Sequence, residues 1–184
     1  MLKHFYSYTP KAIPKALCDY IIKTTPWDKR IDAQLSDDNV SLFENSAIRK
    51  TDVVFLPPLS TIGCLLQSYL TTANKLADWN FDINKIEDVQ VGCYPQGGHY
   101  DWHIDSFVPN NDGQQRKISA VAFLSDPATY EGGVFELEVA PDIPERIPQG
   151  SIIVFPSVLK HRVTAVEDGV RFSAACWASG PAFR

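Results

Sequence analysis

The chain has 184 residues, 45% of them hydrophobic and 21% charged, with a formal net charge of -5. This length and balance suit one soluble globular domain with a sizeable core. There is no basic run, so a phosphate-tracking surface is not predicted and a nucleic-acid partner is not expected.

In chain order, residues 1–12 read as a short strand ending at Pro10. Ile13 to Ile22 reads as a helix, with Pro14 in its first turn and Ile13, Leu17, Tyr20 and Ile21 at helical spacing. Residues 27–47 are polar and read mostly as loop. Ile48 to Leu56 reads as a strand stopped by Pro57-Pro58. Leu59 to Trp79 follows a helical period, with Ile62, Leu65, Leu66, Tyr69, Ala73 and Leu76 in one stripe, as a helix covering a sheet would show.

Beyond Phe81 the chain changes to short strands, at 87–94, 100–107, 117–125, 133–138, 151–155, 160–166 and 170–177. Glycines punctuate the connections, at Gly97-Gly98, Gly113, Gly132-Gly133, Gly150 and Gly169. Neither glycine pair opens a helix, so a phosphate loop is not indicated. Many short strands at this spacing predict a sandwich or jelly-roll barrel. The fold class is mainly β with N-terminal helices, α+β, arranged as one domain over 1–184: a helical and strand buttress over 1–86 and a β core over 87–178.

No apolar run approaches the roughly 20 residues of a membrane span. The N-terminus lacks the apolar segment of a signal peptide, so a cytoplasmic location without membrane association is expected. Cys18, Cys64, Cys93 and Cys176 form no Cys-x-x-Cys and read as reduced, mostly buried thiols.

The chemistry concentrates in Tyr94-Pro-Gln-Gly-Gly-His-Tyr-Asp-Trp-His-Ile-Asp105. On a strand, side chains alternate faces, so His103 and Asp105 would point the same way. His161 is the best candidate for a third ligand. Two His and one carboxylate on one side of a metal leave the other positions open, the pattern of non-haem Fe(II) oxygenases.

The segment from His161 to Trp177 reads as a hairpin turning at Glu167-Asp168-Gly169. In that register His161 faces Ala175, and His161, Val163, Ala165, Arg171, Ser173, Ala175 and Trp177 point inward together. Arg171 would lie about four strand positions from His161, roughly 13 Å. A dicarboxylate fits that gap, one end on the metal and the other on the planar guanidinium, with Ser173 as a second donor. No carboxylate of the hairpin shares the Arg171 face, which favours a bound anion as its partner.

Tyr94, Tyr100-x-x-His103-x-Asp105, and His161 followed ten positions later by Arg171 resemble the 2-oxoglutarate/Fe(II) dioxygenases, and within them the prolyl 4-hydroxylase-like branch. Asp88 to Tyr94, Arg116 to Ser125 and Glu131 to Phe135 carry the same resemblance. It implies a double-stranded β-helix (jelly-roll, cupin-like) core. It implies His103, Asp105 and His161 as ligands of Fe(II), with Arg171 and Ser173 on the distal carboxylate of 2-oxoglutarate and Tyr94 lining that cosubstrate's pocket. It also implies O2 as co-reactant, ascorbate as reductant, and Tyr100, Arg116 and Trp177 near the primary substrate. The branch places a tyrosine hydroxyl beside its arginine where this chain has Phe123, which cannot donate a hydrogen bond. Ser173 is expected to donate there instead.

The expected activity is hydroxylation of a C–H bond, foremost of a prolyl residue in a peptide or protein, with release of succinate and CO2. Polar segments at 28–47 and 108–115 are expected to fold over such a substrate. The rival readings are a hydroxylase of a free amino acid or other small molecule, a nucleic-acid dealkylase, and a non-catalytic jelly-roll binding module. The dealkylases carry a second Arg six positions after the first, where Trp177 stands. Oligomeric state has no signature in the chain.

Overall fold

The structure, a computed structural model, describes residues 4–32, 48–106, 109 and 112–183. In chain order its elements are β1 (Ser7–Thr9), α1 (Lys15–Thr24), a 3-10 turn (Trp27–Lys29), β2 (Ile31–Asp32), β3 (Arg49–Lys50), β4 (Asp52–Leu56), α2 (Thr61–Leu76), β5 (Lys85–Ile86), β6 (Val89–Tyr94) and β7 (His99–His103). There follow β8 (Gln114–Phe123), β9 (Tyr130–Gly132), β10 (Phe135–Leu137), β11 (Ile152–Pro156), β12 (His161–Val163), β13 (Val166–Gly169) and β14 (Arg171–Pro181). The class is mainly β with N-terminal helices, as expected.

A large sheet runs in the order β1-β11-β8-β14-β6-β4-β2, with β5 added on β14. A small sheet runs β10-β12-β7-β3, and β9 pairs β13 in a separate ribbon. The large sheet has two differently clothed faces, because its strands alternate. Val89, Val91, Ile118, Ala120, Ala122, Ile152, Val154, Ala174, Cys176 and Ala178 join Ile21 of α1 and Ile62, Leu66, Leu70 and Ala73 of α2 in one core. Tyr94, Phe123, Ile153 and Phe155 point the other way and meet Phe135, Leu137 and Val163 of the small sheet in a second core. The small sheet therefore packs on the face that the helices leave free.

Helix α2 starts where Ser60 Oγ accepts the N–H of Gly63, a side-chain cap that satisfies one orphan donor. Its buried side is Ile62, Leu66, Leu70 and Ala73. Leu76, expected in that stripe, is 79% exposed. The helix ends there, and Ala77 takes the next buried position.

Three further expectations change. Residues 48–56 do not form one strand: β3 joins the small sheet and β4 the large one, with buried Thr51 between them. The strand through His103 ends at that residue, because its partner β12 is only three residues long. Past it, the N–H groups of Asp105 and Ser106 both donate to Ser157 O at 3.0 Å.

The third is the hairpin from His161 to Trp177, which does not exist. β12 pairs β10 and β7, while β14 pairs β6 and β8, so the two strands belong to opposing sheets. The connecting stretch is held elsewhere: Thr164 N donates to Val134 O, Val166 N to Gly98 O, and Gly97 N to Val166 O. β13 then pairs β9. Ala165, expected inside, is exposed, and Val166 is buried instead. The segment at 28–47 lies largely outside the described residues, as do residues 108, 110 and 111 of the segment at 108–115, whose end, Gln114 and Gln115, belongs to β8.

Candidate metal centre

Between the sheets, a cavity is lined by Gln90, Tyr94, Tyr100, His103, Asp105, Ser119, Val121, Phe135, His161, Val163, Arg171, Ser173, Ala175 and Trp177. The large sheet supplies one wall by register. Arg171 lies across from Tyr94, Ser173 from Gly92 and Ala175 from Gln90 on β6, while Ala175 faces Val121 and Trp177 faces Ser119 on β8. Val91, the next residue on β6, points the other way into the helix-side core. Gln90 lies on the site face because β6 alternates.

The small sheet brings the imidazoles together. His161 is the cross-strand partner of His103, and their ring centroids are 4.2 Å apart. Asp105 closes the group: its Oδ1 lies 3.7 Å from His103 Nε2, and its Oδ2 lies 3.5 Å from His161 Nε2. The ligand atoms of all three lie within 4.8 Å of one another.

Backbone carbonyls orient both rings. His103 Nδ1 donates to Asp101 O at 2.7 Å, and His161 Nδ1 donates to Leu159 O at 3.0 Å. Each Nε2 lone pair is thereby left facing Asp105, the usual arrangement of a ligating imidazole. The carboxylate is held as well. Ser119 Oγ donates to Asp105 Oδ2 at 2.7 Å and lies 2.9 Å from Ser157 Oγ.

The electrostatics favour the ligating protonation states. Burial, reinforced by the field of His161, pushes the His103 imidazole down to about 4. Burial works against the charge of Asp105, but the two imidazoles and the Ser119 hydrogen bond outweigh it and hold the carboxyl below its usual range. Neutral rings and an ionised carboxylate are what a divalent ion requires.

Arg171 is 1% exposed. Its Nη1 donates to Ser173 Oγ at 3.3 Å, and its guanidinium lies over the rings of Tyr94 at 5.1 Å and Phe123 at 5.5 Å. Nη2 is buried without a hydrogen-bond partner. Gly133, with φ +58°, makes room for it, since a Cβ there would come within 2.9 Å of Arg171 Cδ. A buried guanidinium with a spare donor and no carboxylate is a receptor for an anion.

The other expected residues divide. Tyr100 stacks on His103, with centroids 3.5 Å apart and planes 10° apart, and Trp177 lines the cavity. Arg116 does not line it. Its Nε and Nη2 hold Glu87 Oε2 at 2.9 and 2.8 Å, and its guanidinium lies 3.9 Å over the Trp177 ring. Ser119 and Ser157 were missed by the sequence reading. The period of two through Val121 and Phe123 was sufficient to bring Ser119 to the site face.

Residues 89–179 match the family model of the 2OG-Fe(II) oxygenase superfamily. A PKHD-type hydroxylase of Teredinibacter turnerae is 38% identical over 97 residues, covering 50% of this chain and 43% of that protein. The chain spans about half the length of the curated relatives it matches. The viral collagen prolyl hydroxylase of Paramecium Bursaria Chlorella virus-1 in its 2OG complex superposes with a TM-score of 0.71, at 17% identity and 97% coverage of both chains. A Trichoplax adhaerens prolyl hydroxylase bound to a hypoxia-inducible-factor peptide gives 0.65, at 18% identity, covering 96% of this chain and 84% of that one. At these identities the two structures speak for the fold, a jelly-roll core.

Proposed function

The chain belongs, through residues 89–179, to the 2OG-Fe(II) oxygenase superfamily, and from that membership we propose that it is a 2-oxoglutarate- and O2-dependent dioxygenase that hydroxylates a prolyl residue in a peptide or protein. The observation that carries the dioxygenase reading is the pairing of the His103–Asp105–His161 cluster with the orphaned Nη2 of buried Arg171. A cation site and an anion site share one cavity.

In this reading His103 Nε2, His161 Nε2 and a carboxylate oxygen of Asp105 hold Fe(II). When bound, the iron couples oxidative decarboxylation of 2-oxoglutarate to insertion of one oxygen atom into a C–H bond, leaving succinate and CO2. The chain's own residues bind and orient. Arg171, with Ser173 beside it, receives the distal carboxylate of the cosubstrate through charge-assisted hydrogen bonds. Tyr94 and Phe123 flank the guanidinium and keep water from its faces. Val121, Phe135 and Val163 line the cavity with side chains that offer no hydrogen-bonding group. Ascorbate serves as a reductant in the assay. We assign the chain to the cytoplasm and take 1–184 as one domain; among the described residues no helix is long and apolar enough to cross a membrane.

The prolyl assignment draws on the names of the relatives and on the peptide held by the Trichoplax enzyme. Anaerobically Fe(II)-loaded protein, given 2-oxoglutarate and O2, should release succinate. Release should rise with proline-containing peptides, which should gain the mass of one oxygen. Stimulation by free proline but by no peptide would replace the peptide substrate with a small molecule. No succinate under any condition would overturn the dioxygenase reading.

A further inference from the structure

Arg49 has no role in the reaction described so far. It sits on β3, the edge strand of the small sheet, and is the cross-strand partner of Tyr100. Its guanidinium lies 4.5 Å over the Tyr100 ring, and that ring stacks on His103 at 3.5 Å. Its Nε and Nη2 are buried and meet no acceptor.

This is unusual within the molecule. Arg30, Arg116, Arg146 and Arg162 each pair with a carboxylate, of Asp52, Glu87, Glu131 and Glu136 respectively. The described guanidiniums with buried, unpartnered nitrogens are Arg171 and Arg49. Arg171 lines the metal cavity, and Arg49 borders it through Tyr100.

Charge separates their duties. With a divalent cation and a dicarboxylate in place, the cation is offset by Asp105 and one carboxylate, and Arg171 by the other. Among the described residues Arg49 is left without a counter-charge. Burying Nε and Nη2 of a half-buried guanidinium without a partner is costly. A neutral carbonyl would satisfy its donors but not its charge, whereas a carboxylate does both through a bidentate pair.

We propose that Arg49 anchors a carboxylate of the primary substrate. Resting on the dioxygenase reading above, this narrows the substrate class to peptides or amino acids that carry a carboxylate close to the oxidised carbon. The carboxylate belongs to an acidic side chain, to a C-terminus, or to a free amino acid. Arg49 is then a substrate-binding residue whose position beside Tyr100 sets the side from which that carbon approaches His103.

The test uses Mn(II)- and 2-oxoglutarate-loaded protein and matched probes, with dissociation constants measured by titration calorimetry. The pairs are proline peptides with a neighbouring Asp against Asn, peptides ending in proline as free acid against amide, and L-proline against L-prolinamide. In at least one pair the acid should bind about tenfold tighter, as a charge-assisted bidentate contact implies. Arg49→Gln should abolish that preference. Arg49→Lys, which keeps the charge without the planar fork, should retain part of it and shows that a folded protein is being compared. The pair that discriminates identifies the source of the carboxylate. Acids and amides binding alike, a preference that survives Arg49→Gln, or no binding by any acid overturns the proposal. Succinate release by the wild type without primary substrate reports separately on the dioxygenase reading, so the two can fail independently.

Discussion

His103 and His161 are cross-strand partners in the small sheet, and their ring centroids lie 4.2 Å apart. Opposed residues of an antiparallel pair share a face. The sheet ladder itself therefore brings the two imidazoles together, and only Asp105 has to be delivered by a loop. That loop is fastened by two N–H donors to Ser157 O.

Replacing His161 or Asp105 should remove metal binding without unfolding the sheet. Wild-type protein should be stabilised by Mn(II) or by anaerobic Fe(II), by about 2.7 kcal/mol at a hundredfold excess over Kd. His161→Ala and Asp105→Ala should show no such gain in denaturant unfolding. A variant that keeps the full gain would remove its residue from the ligand set.

Ser119 should matter through Asp105. Its hydroxyl occupies Oδ2 at 2.7 Å, which leaves Oδ1 to face the cation. Groups of this kind typically cost about 10- to 100-fold in metal affinity when lost. Ser119→Ala should weaken Mn(II) binding by that factor in a titration, and the affinity for 2-oxoglutarate should fall only through the metal. An unchanged Mn(II) affinity would leave Ser119 a packing residue.

The face occupied by each residue was more legible in the sequence than the strand it pairs with. Alternation alone brought His161, Val163, Arg171, Ser173, Ala175 and Trp177 to one cavity. Their arrangement as a hairpin failed because hydrogen bonds of 164–166 to Val134 and Gly98 carry the chain from one sheet to the other. Members on the two strands survive such an error, since both strands still present that face to the space between the sheets; Ala165, on the connection, does not. Arg49 was out of reach for a different reason. A two-residue strand has no periodicity, and its burial depends on Tyr100, a residue 51 positions away.

Arg171 should be a liability to the empty protein and an asset to the loaded one. Its Nη2 has no partner, and no carboxylate pairs with it among the described residues. Arg171→Met keeps an unbranched stem and removes the guanidinium and its charge. Without 2-oxoglutarate this variant should be at least as stable as the wild type, because an unpaired buried charge is lost. With the metal present, 2-oxoglutarate should raise the thermal midpoint of the wild type and leave that of the variant unmoved. A variant that still responds to 2-oxoglutarate would mean that the distal carboxylate lies elsewhere.

The metal-free protein should lose stability on mild acidification, and His103 should account for much of the loss. Burial holds its imidazole down to about 4, against about 6.5 in an unfolded chain. Between those values the unfolded chain binds a proton that the folded chain does not. Stability is therefore fully present above about pH 6.5 and falls as the pH is lowered toward 4, where the folded ring finally protonates. The whole span corresponds to about 3 kcal/mol. Asp105 adds no slope within most of that window, since its carboxyl is ionised there in both states, and its contribution disappears only at lower pH. Urea midpoints measured on metal-free protein from pH 7.5 to 4.5 should fall steeply for the wild type and more gently for His103→Gln. Parallel curves for the two proteins would show that the loss arises from other groups.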